Sequence, residues 1–352
     1  MITLSAIKVL LPAFLAFSFG IMLTPILTHY MYKYKMWKKR SRSSENNHLM
    51  SADFQKIHNE VGETSTPRPG GVVIWLSVSF VVCIVSLLAF LFPNDTSSRL
   101  NFLSRNQTLL PLAALLFASI IGLIDDLLQV FNTTNEKSDG ISRRLRILVV
   151  LLIGAVGAWW FYTKLDVSGI HIPFGGEIFL GLFFVPFFML VMLGIFTGSV
   201  IDGIDGLAAG VMASAFGAYT LIAFEQQQYD LAALCATIIG GILAFLWFNI
   251  PPARYYLGET GMIGLTVTLS IIAFLTGQVI VLPIIAFPLV LTSFSSALQM
   301  FSKKYFGKKV FRIAPIHHHF EAIGWPSYKV TMRYWIMSVI CALLGTVIAL
   351  LG

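Results

Sequence analysis

Long apolar runs separated by short polar connectors dominate this chain. A hydrocarbon core of about 30 Å is crossed by roughly 20 apolar residues of α-helix, and about ten runs approach that length. We predict membrane-spanning helices at 7–31, 70–92, 109–124, 147–163, 178–197, 207–224, 231–248, 262–276, 279–300 and 331–351. Pro283 and Pro288 predict a kink in the run 279–300. The glycine-rich, alternating segment 166–177 predicts a small hairpin.

Basic residues are concentrated in alternate connectors. If successive connectors lie on alternate sides of the membrane, one side holds only Lys8, Arg99, Arg105 and Lys164. The other side then holds 24 minus 4, or 20, of the lysines and arginines. An excess of lysine and arginine marks the cytoplasmic side of a membrane protein. We therefore predict that the basic side is cytoplasmic and that both termini are extracytoplasmic.

Composition supports the same fold class. The 352 residues are 57% hydrophobic and 12% charged, with a mean hydropathy of +0.80, whereas soluble domains carry about 25% charged residues. We predict an all-α polytopic membrane protein with one integral membrane domain over residues 1–352. Topology and anionic lipid headgroups explain the net charge of +7, so nucleic acid is not expected as a partner.

Acidic residues mark two connectors on the predicted cytoplasmic side. Asp125 and Asp126 end the third run, where two adjacent carboxylates suit a divalent cation or proton transfer; alternatively they are ordinary interfacial acids. In GSVIDGIDGLAAG, Asp202 and Asp205 stand three residues apart, each before a glycine, and this spacing projects both carboxylates to one side. A simple helix-capping role for Asp205 is the alternative.

Three further cytoplasmic segments carry polar chemistry. In FNIPPARYYLGETG, Asn249 can bond a base edge, Tyr255 and Tyr256 can form a stacking face, and Glu259 offers a carboxylate on a turn. An ordinary connector with interfacial tyrosines has the same composition. The first and third connectors add cations able to meet phosphate, although topology alone also explains them: Lys56, His58, Arg68, Arg143, Arg144 and Arg146.

The segment APIHHHFEAIGW places His317, His318 and His319 next to a basic run. Imidazole binds metals when neutral and phosphate when charged, while a solvated loop with no role is the alternative. Together, these connectors supply carboxylates, histidines, arginines and aromatic rings to one membrane face. Such a set can hold Mg²⁺ and a diphosphate and transfer a phosphoryl group to an amphiphilic acceptor from the bilayer.

These motifs resemble the polyprenyl-phosphate N-acetylhexosamine-1-phosphate transferases. The resemblance runs through TPRPGG, GLIDDL, IDGIDGLAAG, FNIPPARYYLGETG and APIHHHFEAIGW and covers nearly the whole chain. It implies a multi-pass enzyme of the bacterial plasma membrane with its active site on the cytoplasmic face, and it is compatible with a homodimer. The implied reaction moves phospho-MurNAc-pentapeptide from UDP-MurNAc-pentapeptide to undecaprenyl phosphate, giving lipid I and UMP in peptidoglycan biosynthesis.

The resemblance also implies roles for individual residues. The catalytic group would comprise Asp125, Asp126, Asp202, Asp205, His317 and His318. The substrate-binding group would comprise Asn249 and Tyr256 at the uracil, with His319, Lys56, His58, Arg68, Arg146 and Ser199. Glu259 would bind Mg²⁺. Direct attack by the lipid phosphate and a covalent aspartyl intermediate both fit these residues.

Six positions depart from the family pattern. The family has Lys where this chain has Glu63 and Gln129, Asn at Ser199, Asp at Glu259, Ser at Met262, and Lys where this chain has Arg146. Two alternatives to the implied reaction therefore stay open. One is a related transferase that uses another UDP-N-acetylhexosamine, and the other is a non-catalytic homologue that binds lipid phosphate.

Overall fold

A computed structural model describes residues 2–37, 65–131 and 140–352 of the protein. Its regular structure is almost entirely helical, which confirms the predicted fold class. The first helices are α1 (Ile2–Lys33), α2 (Val72–Leu91), α3 (Asp95–Leu100), α4 (Leu109–Phe131), α5 (Arg143–Lys164) and α6 (Phe184–Thr197). The remaining helices are α7 (Leu207–Glu225), α8 (Tyr229–Asn249), α9 (Gly258–Leu275), α10 (Leu282–Ile285), α11 (Phe287–Phe306), α12 (Ile316–Ala322) and α13 (Ser327–Leu351).

Nine helices within the described ranges are long and apolar enough to cross a membrane, against the ten runs marked in the sequence. The difference is the run 279–300, which forms α10 and α11 with a break at Ala286. Pro283 and Pro288 occupy the first turns of these two helices, where proline is tolerated, so they mark a break rather than a kink. Polar side chains on the buried face of α11, such as Gln299, lower its hydropathy.

The third predicted run is longer than expected. Helix α4 continues to Phe131, so Asp125 and Asp126 lie inside the helix, and the prediction that they end it is wrong. Both side chains are fully buried. The predicted hairpin is confirmed, because β1 (Gly169–Ile172) pairs antiparallel with β2 (Gly176–Phe179).

Helices α4 and α9 are packed closely enough to place the two aspartates beside the start of α9. A Cβ atom added to Gly122 would lie 2.3 Å from the carbonyl oxygen of Glu259, and one added to Gly264 would lie 2.1 Å from Ser119 Oγ. Small residues allow such contacts between membrane helices, where dispersion rather than the hydrophobic effect drives packing. Helix α9 is accordingly buried along nearly its whole length.

Two contacts near the ends of the described chain lie away from these aspartates. Lys8 forms an ion pair with Asp230 at the start of α8. His171 Nε2 in the hairpin lies 3.0 Å from the carbonyl oxygen of Gly352. Both terminal helices therefore begin or end away from the acidic residues, while the placement of the termini outside the cell stays a prediction.

Candidate functional site

Asp126 caps the start of α9 from a neighbouring helix. Its carboxylate accepts hydrogen bonds from the backbone N–H groups of Glu259 (3.2 Å) and Thr260 (2.9 Å) and from the Thr260 hydroxyl (2.6 Å). The first N–H groups of a helix have no partner within it, and a carboxylate also interacts favourably with the helix dipole. In this structure, Asp126 therefore positions the segment that carries Glu259.

Asp125 belongs to a network of opposite charges. It accepts hydrogen bonds from the Ile141 N–H and, at 3.1 Å, from Gln129 Nε2, and Arg146 Nε lies 3.7 Å from it. Arg146 also forms an ion pair with Glu259, so this guanidinium links two of the predicted site carboxylates. Arg68 joins the same network.

Arg68 connects to Asp125 through Gln129, a position at which the resemblance implied a lysine. Arg68 Nη1 donates to Gln129 Oε1 at 2.6 Å, and the amide of Gln129 in turn donates to Asp125. Gln129 thus links a cation to a carboxylate through two hydrogen bonds. Arg68 and Arg146 place the positive charge on either side of it.

Asp202 and Asp205 come from the loop between α6 and α7. Asp202 Oδ2 accepts a hydrogen bond from the Gly258 N–H at 3.1 Å, and Asp205 Oδ2 accepts one from the Ala253 N–H at 3.0 Å. Asp205 Oδ1 is buried without a hydrogen-bond partner among the described residues. The loop therefore contacts the start of α9 and leaves one carboxylate oxygen available.

Burial raises the pKa of both carboxyl groups in this loop. The pKa of Asp202 rises to about 7 because the group is desolvated and because Glu259 and Asp205 add negative charge, although Arg68 and the Gly258 N–H oppose the rise. The pKa of Asp205 is raised by burial and by the charge of Glu321, against the effect of the Ala253 N–H. A cation that binds beside Asp202 and Asp205 would therefore favour the deprotonated forms of their carboxyl groups.

The histidine segment forms α12, which packs against the Asp202–Asp205 loop. A Cβ atom added to Gly203 would lie 2.8 Å from His318 Nε2 and 3.1 Å from His317 Nε2. The two imidazole rings lie 4.3 Å apart, measured between centroids. Both ring nitrogens of His317 lack a hydrogen-bond partner among the described residues, and burial and the neighbouring His318 lower its pKa well below the usual range.

His319 occupies a different environment from the other two histidines. Its Nδ1 accepts the Arg312 N–H at 3.2 Å, and its ring packs edge-on against Phe311. Ser199 lies half-buried in the 3₁₀ turn Gly198–Ile201, where its carbonyl oxygen accepts the Asp202 N–H. The predicted phosphate-binding residues Lys56 and His58 lie outside the described residues, as does Glu63.

The connector after α8 differs most from expectation. Asn249 is buried; its Oδ1 accepts the Gly206 N–H at 2.9 Å and its Nδ2 donates to the Tyr255 carbonyl at 2.8 Å. Tyr255 is fully buried against Phe245, so the prediction that it forms part of a stacking face is wrong. Tyr256 is half-buried, and its backbone pairs with Pro67 and Gly70, while its contact with uracil stays a prediction.

Thr260 and Glu321 are functional candidates that sequence reasoning missed. Thr260 gives two of the three hydrogen bonds to Asp126, but nothing in its local sequence indicates this contact. Glu321 Oε2 lies 2.7 Å from His318 Nδ1. The i, i+3 spacing of these two residues on a helix is a signal that could have found the pair.

Comparisons with known proteins identify the family of this chain. The sequence model of glycosyl transferase family 4 matches residues 108–277. A phospho-N-acetylmuramoyl-pentapeptide-transferase of Chloroflexus aggregans is 31% identical over 358 residues, which cover 98% of this chain and 90% of the relative. Relatives of the same name from Anoxybacillus flavithermus (31% identity; 96% of each chain) and Geobacillus sp. (33%; 80% of this chain and 83% of the relative) also match. The chain belongs to the phospho-N-acetylmuramoyl-pentapeptide-transferase family.

Proposed function

We propose that this protein transfers phospho-MurNAc-pentapeptide from UDP-MurNAc-pentapeptide to a polyprenyl phosphate in bacterial peptidoglycan synthesis, as its family membership indicates. The observation that carries the proposal is the position of the Asp202–Asp205 loop between α12 and the start of α9. One connector thereby brings two carboxylates beside the histidine rings, and the charge of Arg68 acts on Asp202. Phosphoryl transfer uses groups of this kind to position and neutralise phosphates. Undecaprenyl phosphate is the proposed acceptor, and UMP is the proposed leaving product.

The reaction we propose is a direct displacement. An acceptor phosphate oxygen forms a bond to the β-phosphorus of the donor while the bond from that phosphorus to the UMP oxygen breaks, and UMP leaves with the electron pair. Arg68, Arg146 and His318 offset negative charge on the phosphates. Asp125, held between the Ile141 N–H and Arg146, would accept the proton of the acceptor phosphate as a general base.

A divalent metal is consistent with membership of this family. The donor atoms present suit Mg²⁺, because Asp205 Oδ1 is a buried oxygen without a partner among the described residues, and Asp202 and Glu259 add carboxylates nearby. No three His, Cys, Asp or Glu side chains in the described ranges converge on one point. Mg²⁺ needs only one or two protein carboxylates when substrate phosphates complete its shell. When bound, the ion would supply positive charge to the diphosphate.

The proposed function is tested with purified protein, UDP-MurNAc-pentapeptide, undecaprenyl phosphate and Mg²⁺, followed for release of UMP. We expect UMP release that requires all three additions and is matched by an equal amount of lipid-linked product. Parallel reactions with other UDP-N-acetylhexosamines measure donor choice. Faster turnover of another UDP-sugar would assign the protein to a related reaction, and no turnover of any donor would contradict the proposal.

A further inference from the structure

His318 and Glu321 form a carboxylate–imidazole pair on one turn of α12. His318 Nδ1 lies 2.7 Å from Glu321 Oε2, and each side chain is only 7% exposed. The other carboxylate oxygen, Glu321 Oε1, accepts a hydrogen bond from the Ser327 hydroxyl at 2.6 Å. Ser327 begins α13, so a residue of α13 holds the Glu321 carboxylate while that carboxylate holds the His318 ring on its own helix, α12.

This pairing decides which nitrogen of His318 faces the loop. An ionised carboxylate can only accept hydrogen bonds, so Nδ1 carries a proton. The opposite nitrogen, Nε2, then points to Gly203, where an added Cβ would lie 2.8 Å away. Because Gly203 has no side chain, the edge of the His318 ring can lie directly against the backbone of the Asp202–Asp205 loop.

His317 provides a contrast within the same helix. No carboxylate of the described residues bonds its ring, and both of its nitrogens are buried without hydrogen-bond partners there. The adjacent histidines therefore differ in how firmly their rings are oriented. A group that must meet a phosphate oxygen needs a fixed direction, since small errors in placement are costly in catalysis.

We propose that Glu321 is a positioning residue of the reaction, acting through His318. With Ser327 it fixes the ring so that Nε2 faces the donor diphosphate at the Asp202–Asp205 loop. This inference rests on the proposed function. Glu321 itself need not touch substrate.

A double-mutant cycle tests whether Glu321 acts through His318. Glu321→Gln keeps the size of the side chain and removes its charge, and we expect kcat to fall by about 10- to 100-fold, as when a residue that orients a functional histidine is lost. The KM for the UDP-linked donor should change less than kcat, because the interaction strengthens as charge develops. Adding Glu321→Gln to His318→Gln should cause no further loss. Independent, multiplying losses would overturn the proposal.

Two further variants separate positioning from folding. Ser327→Ala removes one hydrogen bond to Glu321 and should reduce kcat less than Glu321→Gln does. In the His318→Gln background, Ser327→Ala should not reduce kcat further. Glu225→Gln, at an exposed position at the end of α7, is the matched control and should retain parent turnover. Full kcat in Glu321→Gln, with the parent active, would contradict the positioning role and leave the proposed function intact.

A spectroscopic measurement gives a readout that does not depend on turnover. In enzyme with ¹⁵N-labelled histidine, the signals missing from His318→Gln identify His318. We expect a protonated Nδ1 in the parent and a mixture of tautomers in Glu321→Gln. An unprotonated Nδ1 in the parent would overturn the proposal, and a parent that shows the expected signal but no UMP release would contradict only the proposed function.

Discussion

Replacing Asp126 should weaken the protein, because this carboxylate caps α9 from outside the helix. Asp126→Ala removes the acceptor of three hydrogen bonds, from the Glu259 N–H, the Thr260 N–H and the Thr260 hydroxyl. The hydroxyl can rotate toward another acceptor, but the two backbone donors cannot. The variant therefore leaves N–H groups without a partner at a buried contact between α4 and α9.

The magnitude follows from those two donors. A buried donor left without an acceptor costs about 1–3 kcal/mol, and losing a helix cap costs about 0.5–2 kcal/mol. Because these terms describe the same contact, we expect about 3 kcal/mol in total rather than their sum. At about 2–4 °C per kcal/mol, the value for proteins somewhat smaller than this one, the apparent Tm should fall by about 6–12 °C.

Thermal unfolding in one detergent at one scan rate measures this effect, because membrane proteins often unfold irreversibly. Thr260→Val, which removes only the hydroxyl donor, should cost about 1 kcal/mol. Asp95→Ala is the control, since the Asp95 side chain is 96% exposed and its ion pair with Arg99 spans 3.8 Å. If Asp126→Ala unfolds at the same temperature as Asp95→Ala, the capping argument is wrong, and a purely catalytic carboxylate would explain the residue better.

Three further predictions follow from the loop between α6 and α7. Gly203→Ala should lower kcat by about 10-fold or more, because its Cβ would lie 2.8 Å from His318 Nε2. Gly194→Ala is the control and should leave kcat unchanged, because its Cβ would have open space around it. Equal kcat values for the two variants would contradict the packing of His318 against Gly203. Asp202 has a pKa of about 7, above the ordinary 3.8, so the native state binds its proton more tightly. Its contribution to stability is therefore complete below about pH 4 and is lost as the pH rises through 7. In metal-free buffer, Asp202→Asn should flatten this fall in unfolding temperature, and an unchanged pH profile would refute the assignment. Asp205→Asn should reduce UMP release by at least about 100-fold while the protein still folds in detergent; turnover near the parent rate would exclude Asp205 from the site.

The local pattern of the sequence was enough to predict the helices and the connectors that carry chemistry. Apolar runs predicted the spanning segments because a chain in lipid must satisfy its backbone hydrogen bonds internally. The i, i+3 spacing of Asp202 and Asp205 predicted that the two carboxylates project to one side of their loop. Both properties depend on residues that are neighbours in sequence.

Contacts across more than 100 residues depended on the tertiary structure. Asp126 caps α9 only because Gly122 lets α4 approach Glu259 closely, and no pattern around Asp126 contains that information. Tyr255 and Tyr256 look equivalent in sequence, yet packing buries Tyr255 completely and leaves Tyr256 half-buried.

The adjacent histidines show the same division. Sequence alone placed His317 and His318 together and indicated phosphate or metal chemistry. Packing of α12 beside α13 and the Asp202–Asp205 loop then gave His318 a carboxylate partner and left His317 buried without one. Sequence thus determined which groups the protein can use, whereas their direction and surroundings depended on which helices pack together, because side-chain environments are set by neighbours distant in the chain.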